Sequence, residues 1–352
     1  MLAQLRAYVP ERPLPRDFYT RADYFEQEMR VLWYREWLFV GHECELANAG
    51  DQLTVTVGQY PIVVERNRNG SLRASSPDVM SVHCTAAGGY VFVCVAAQPP
   101  DFDTFARAAE PYLLPHRLAD TKVAFESTIV EHANWKLVWE NNRECYHCAV
   151  NHPELCRTFL PTPTVIGVDA AAANARMSAA WDRWEKLGLP SRFELSVSGQ
   201  SRLVRMPLVE GMVSFTLDGK PASQRPLSDA VKADNVGSLL LFHYPSTWNH
   251  ILGDHATTFR VLPLGPTDTQ LTTKWLVHQD AREGVDYEVS RLTQVWSATN
   301  DEDRRVCQEN QFGVNSPAYE PGPYSPIHEA GVMQFVAWYQ RHLIQRLADE
   351  FA

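Results

Sequence analysis

The sequence predicts an α+β fold. Two blocks of strand-forming residues, 39–97 and 238–278, and two long helical stretches, 286–312 and 328–349, come in runs rather than in alternation. The chain has 352 residues, enough to bury roughly three quarters of the surface its unfolded form exposes. Apolar residues make up 45% and charged residues 21%, which excludes disordered or collagen-like classes. The net charge is −10 and no Lys/Arg cluster stands out, so neither nucleic acid nor an anionic membrane is an expected partner. The longest apolar stretch, Tyr90–Ala97, is far short of a membrane span, and the start lacks the apolar core of a signal peptide. Seven cysteines without framework spacing read as reduced thiols in a cytoplasmic protein.

The elements follow in order. Residues 1–40 read as a helical segment after a lead rich in proline (Pro10, Pro13, Pro15), with Tyr24, Phe25, Met29, Leu32 and Trp33 near helical spacing. Strands are expected at 52–57, 60–65 and 89–95, where β-branched and aromatic residues gather between Asn-Gly and Gly-Gly turns. Pro99-Pro100 marks a boundary. A helix is expected at 102–110, a strand at 121–131 and a helix at 134–150. The polar middle, 165–235, gives no clear pattern. Several strands fill 238–278, including LLLFHY, TTFRVLP and LTTKWLVH, and the two long helices close the chain. Expected domains are a helical segment 1–40, a β region 41–100 and a main domain 101–352.

The densest chemistry lies in NWKLVWENNRECYHCAVNHPEL, which holds Glu144, His147 and His152. On a regular helix five residues turn about 500°, which leaves two imidazoles about 140° apart. They can share a metal only if the helix breaks, and Pro153 pushes His152 out of the α region. Two His plus one carboxylate would form a facial triad with open positions, suited to Fe(II) and O₂. On helix 286–312, Leu292, Trp296, Thr299, Asp303, Val306 and Asn310 fall on one stripe. Asp303 lies on that stripe, whereas Asp301 and Glu302 are expected to point off it. A plain acid beside Arg304 or Arg305 is the competing reading. Cys145 and Cys148, with His152 and Cys156, could instead bind zinc or form a redox pair. A continuous helix argues against a zinc knuckle, and the cysteines read as small core residues.

ENNRECYHCAVNHPEL resembles the iron-binding helix of the Rieske non-haem iron oxygenase large (α) subunits, in the branch that oxidises glycine betaine, choline and related compounds. YPSTWNHILGDH (244–255), TKWLVHQDAREGVDYE (273–288), ATNDEDRRVCQENQFG (298–313), SPAYEPGPYS (316–325) and WLFVGHECEL (37–46) are similar too. The resemblance implies a helix-grip catalytic domain, an antiparallel sheet of about seven strands around helix 286–312. It implies mononuclear Fe(II) on His147, His152 and Asp303. Glu144 matches the acid that links the iron site to a neighbouring subunit's Rieske cluster. The family forms trimers, so a homo-oligomer is one expectation. A methylated-amine substrate would be held by aromatics through cation–π contact, with Phe242, Tyr244, Trp248 and Trp275 as candidates. His243, His250 and His255 read as pocket or core polar residues.

One departure is large. A Rieske [2Fe–2S] centre needs two Cys and two His, which the family supplies as C-x-H followed by C-x2-H. Between Gly70 and Tyr90, where those loops belong, stand only His83 and Cys84, which read as a turn or small core residues. The expectation is a truncated Rieske-like β region without a [2Fe–2S] cluster. Four readings of function follow. A separate Rieske protein or reductase supplies electrons; the substrate supplies all four electrons for O₂; the site is a hydrolase or lyase using its metal as a Lewis acid; or the chain is a non-catalytic partner. The missing ligands favour the second reading.

Overall fold

The structure is a computed structural model and describes residues 1–159, 169–232 and 235–350. Helices α1 (Leu2–Ala7), α2 (Asp17–Thr20) and α3 (Ala22–Val31) open the chain. Helices α2 and α3 follow the prolines as expected, and the short α1 ahead of them was not expected. Strands β1 (Leu38–His42), β2 (Gln52–Val57), β3 (Tyr60–Arg66), β4 (Leu72–Ser75), β5 (His83–Ala87) and β6 (Tyr90–Cys94) follow. They form two antiparallel three-stranded sheets, ordered β1-β6-β5 and β2-β3-β4. His83 and Cys84 are not a turn: they open β5 and pair with Cys94 and Val93. Next come α4 (Asp103–Leu113), β7 (Thr121–Glu131), α5 (Trp135–Arg143), α6 (Cys148–Asn151) and α7 (Ala170–Glu185).

The remaining strands are β8 (Glu194–Leu195), β9 (Ser201–Met206), β10 (Ser238–His243), β11 (Thr247–Ile251), β12 (Ala256–Gly265) and β13 (Asp268–His278). With β7 they make one antiparallel seven-stranded sheet, ordered β7-β13-β12-β11-β10-β9-β8. Helix α8 (Val289–Asn315) lies on it, and α9 (Ala330–Glu350) completes the chain. The fold is thus α+β, with a long helix held by an antiparallel sheet. At 27 residues α8 is about 40 Å long. Trp296 meets His250 of β11 and Phe259 of β12 at 4.5 and 5.1 Å between ring centres, and Asn300 donates to Thr273 of β13 at 2.9 Å. Past Asp303 its buried face continues through Cys307, Gln311 and Val314, while Asn310 is exposed. The expected stripe drifts by one residue, because at 3.6 residues per turn steps of three and of four both keep to one face.

The β region is not set apart from the large sheet. Phe39 N–H donates to Ser246 Oγ at 2.9 Å, Arg260 donates to the Val40 carbonyl at 2.6 Å, and His42 Nε2 lies 2.9 Å from Thr258 Oγ1. Two apolar cores run across residues 40 and 100. One joins Leu38, Val55 and Val64 to Trp139, Phe242 and Phe335; the other joins Phe39 and Phe92 to Leu203 and Leu241. Among the described residues no helix is long and apolar enough to cross a membrane.

Candidate metal centre and its cavity

Helix α5 is launched by Asn134, whose side chain accepts from Lys136 N–H at 3.0 Å. It ends at Arg143, and Glu144 is extended (φ −122°, ψ 168°). The Glu144 carboxylate then accepts from Tyr146 N–H at 2.9 Å, which fixes a turn in place of further helix. The chain therefore breaks three residues before His147, so the expected helix 134–150 is corrected to two pieces. A second break falls where Pro153 requires it: His152 caps the one-turn α6 at φ −118°, ψ 67°. Cys145 and Cys148 join in a disulfide across this bend rather than standing as reduced core thiols. The chain's one C-x-H, Cys145-Tyr146-His147, lies on the bend and not in the β region.

The two breaks bring His147 and His152 face to edge, with Nε2 atoms 3.0 Å apart. Asp303 Oδ1 of α8 stands 3.4 Å from the first and 3.0 Å from the second. Asn141 donates to the same oxygen at 2.7 Å. Each imidazole has its other nitrogen on a carboxylate: His147 Nδ1 on Glu144, and His152 Nδ1 on Glu302 at 2.8 Å. Glu302 does not point off the site, contrary to the stripe, whereas exposed Asp301 turns away to Arg304 at 2.9 Å. Without an ion each Nε2 donates a proton to Asp303; with one, a proton kept on each Nδ1 would free the Nε2 lone pairs to bind it. Burial opposes protonation of His147, but hydrogen bonds to Asp303 and Glu144 outweigh it and raise the imidazole to about 9. Burial likewise opposes the charge on Asp303, and its hydrogen bonds to His147, His152 and Asn141 hold it down at about 2.

Such a cluster calls for a cation. Three donor atoms bonded at ~2.0–2.2 Å to one ion, in a facial set, lie about 3 Å apart, close to the spacing found. His147, His152 and Cys148 also group closely, but the Cys148 sulfur is committed to its disulfide and lies 4.0 Å from His147 Nε2. The residues present fit a two-His, one-carboxylate metal site.

A cavity of about 120 Å³ opens onto these three side chains. Phe242 and Trp248 line it; Tyr244 and Trp275 do not. Tyr244 is fully buried one layer behind, stacked on Phe242 at 4.5 Å, and Trp275 sits near the sheet edge, 5.7 Å from Phe125. His250 lines the cavity and burial keeps it neutral, with its pKa lowered to about 3. His243 packs on Phe105 and His255 faces Asp254. The sequence reading placed Trp296 on the inward stripe without a role, and it missed Glu302, Asn141, Arg143 and Arg202. Asn141 and Arg143 stand inside the ENNREC string, whereas Arg202 fell in the stretch without pattern.

Residues 118–345 match the family described as ring hydroxylating alpha subunit (catalytic domain). The chain belongs to this family. The glycine betaine monooxygenase oxygenase subunit of Chromohalobacter salexigens is 40% identical, over 98% of this chain and 89% of the relative. The protein of the same description from Pseudomonas aeruginosa (strain UCBPP-PA14) is 38% identical, over 96% and 91%. A quaternary ammonium Rieske monooxygenase crystallised with L-carnitine shares the fold at TM-score 0.66 and 16% identity, over 95% and 96% of the two chains. As a ring-hydroxylating α subunit the protein is an oxygenase, an oxidoreductase acting with O₂. Catalytic domains of this family use a mononuclear non-haem iron, which the two-His, one-carboxylate set suits.

Proposed function

We propose that this chain is the oxygenase component of a monooxygenase for a quaternary ammonium compound, that it binds one Fe(II) on His147, His152 and Asp303, and that it takes electrons from a separate protein. The observation that carries the reading is the convergence of two Nε2 atoms and one carboxylate oxygen, each imidazole held from behind by an acid. Iron so bound would supply O₂ activation at open positions. Asp303 contributes negative charge and is itself aimed by Asn141. Glu144 and Glu302 fix the tautomer and direction of the two rings. Glu144 is also the acid through which an outside donor would couple to His147. The aromatics of the cavity, Phe242, Trp248 and Trp296, suit a methylated cation.

A monooxygenation draws two electrons from its substrate and two from elsewhere. The expectation that the substrate supplies all four yields to the partner-fed reading, because relatives alike over nearly the whole chain are named monooxygenase oxygenase subunits. The β region, 41–100, offers Cys44, Cys84 and Cys94 without the C-x-H and C-x2-H pairs of a cluster, so the outside pair would arrive in trans. Inter-subunit electron transfer is described for a quaternary ammonium Rieske monooxygenase of the same fold, a precedent for such delivery.

The test is anaerobic reconstitution with Fe(II), then O₂ uptake with glycine betaine. About one iron per chain without acid-labile sulfide is expected, with sustained turnover only when a Rieske protein, its reductase and NAD(P)H are present. Sustained turnover without a reductase would restore the substrate-donor reading. Activity with Zn(II) under argon would make the site a hydrolase.

A further inference from the structure

Two arginines line the cavity together with the acids Glu144 and Asp303. Arg143 ends α5, and Arg202 lies on β9 directly across from Phe242 of β10. Their guanidinium carbons stand 4.4 and 5.0 Å from the centre of the same Phe242 ring. Both residues line the cavity that opens onto His147, His152 and Asp303. Among the described residues, no carboxylate oxygen lies within the 4.0 Å of an ion pair from either, although other arginines such as Arg66, Arg291 and Arg346 have one. The Nε of each is buried without a hydrogen-bond partner. Arg143 faces the Tyr244 hydroxyl, a neutral partner. Burial, and then the charge of Arg143, lowers Arg202 to about 9, so it remains a cation at neutral pH. Both residues are half-buried, and like charges drawn partly out of water without a counter-ion are costly. In a chain of net charge −10, acids to pair with them are not scarce. Guanidinium forks match carboxylates in shape and hydrogen-bond count.

We propose that Arg143 and Arg202 form a carboxylate subsite in the metal-facing cavity, so that the substrate is a small betaine, its carboxylate on the two guanidiniums and its methylated nitrogen among the aromatics toward the iron. The cationic half rests on the quaternary-ammonium reading above; the carboxylate half does not. A cavity of about 120 Å³ suits a molecule of roughly ten non-hydrogen atoms. An alcohol such as choline would leave both guanidiniums unpaired.

The experiment is calorimetric binding to the iron-loaded protein under argon, with three probes of one shape. Glycine betaine carries both charges, choline only the cation and 3,3-dimethylbutanoate only the carboxylate. Glycine betaine is expected to bind at least about 30-fold tighter than choline, and Arg202→Gln to remove that preference by weakening glycine betaine about 30-fold while leaving choline unchanged. Arg143→Gln should act in the same direction. Arg202→Lys keeps a charge without the fork and should fall between, which separates lost recognition from lost folding. Equal wild-type affinities for glycine betaine and choline, or equal weakening of both by Arg202→Gln, would overturn the subsite and leave the quaternary-ammonium reading standing. If 3,3-dimethylbutanoate binds as tightly as glycine betaine and with the same Arg202 dependence, the subsite holds and the quaternary-ammonium reading fails. Binding of none of the three would overturn both.

Discussion

The two nitrogens of His152 face two neighbouring acids of one helix, Asp303 at Nε2 and Glu302 at Nδ1. A stripe along α8 selects only one of them, since adjacent helical residues diverge by about 100°. Asp303 was therefore legible from spacing, and Glu302 was not: an imidazole reaches around the helix with nitrogens on two edges. Glu302→Gln is expected to lower metal affinity 10–100-fold, as loss of a carboxylate behind a His ligand does, while Asp301→Ala leaves it unchanged. A chelator-competition titration reads the difference; equal effects would mean that α8 supplies general negative charge and no orientation. Glu140, on α5 ahead of the metal bend, behaves differently. It accepts from Tyr19 and Tyr324 at 2.7 and 3.2 Å, and burial pushes its carboxyl up to about 7. The folded state thus holds this proton more tightly than the unfolded chain, whose value is about 4.3. The stability it contributes is complete below about 4.3 and is lost as pH rises to about 7. Glu140→Gln should flatten that part of a stability-against-pH curve from chemical denaturation and raise stability at pH 8.

At the scale of elements, the strands and long helices were legible because their periodicities run over many residues; of the metal bend, the break at His152 followed from Pro153 and the break at Glu144 did not. Residues 134–150 looked like one helix because apolar spacing does not register a side chain that captures the backbone, as Glu144 captures Tyr146 N–H. What holds α5 in place was equally hidden. Glu28 of α3 is fully buried, accepts from Lys136 Nζ at 2.7 Å and Trp135 Nε1 at 2.9 Å, and also takes the Tyr339 hydroxyl of α9. One carboxylate thus fastens three helices that are far apart in sequence. Lys136→Met leaves that carboxylate uncompensated and is expected to cost about 3–5 kcal/mol, a buried pair broken from one side. Adding Glu28→Gln should recover a good part of the loss. Urea denaturation of the two single variants and the double variant measures the coupling. Strictly additive losses would show that the pair is not a unit.

For the molecule as a whole, the sequence suggested three successive pieces, and composition carried no hint that their interiors merge. Apolar contact between distant segments leaves no mark on local pattern, so the punctuation at Pro99-Pro100 stood out more than the shared core. In the structure Leu38 and Val55 belong to the same apolar cluster as Trp139 and Phe242, and Phe39 and Phe92 to the same one as Leu241. The buried Trp33 ring meets Trp135 edge-on at 5.2 Å, so even the first segment packs on the helix that leads into the metal bend. Removing residues 1–100 would expose Trp135, Leu241 and the sheet face beside Arg260 to water, at roughly 1.5–3 kcal/mol for each large side chain uncovered. Several such losses match the entire stability of an ordinary domain, about 5–15 kcal/mol. The fragment 101–352 is therefore expected to aggregate or remain molten, and the full chain to unfold in one transition seen alike by far-ultraviolet dichroism and tryptophan fluorescence. Two separated transitions, or a soluble 101–352 fragment with sharp near-ultraviolet dichroism, would show that the β region is an independent domain after all, and that the metal bend does not depend on it.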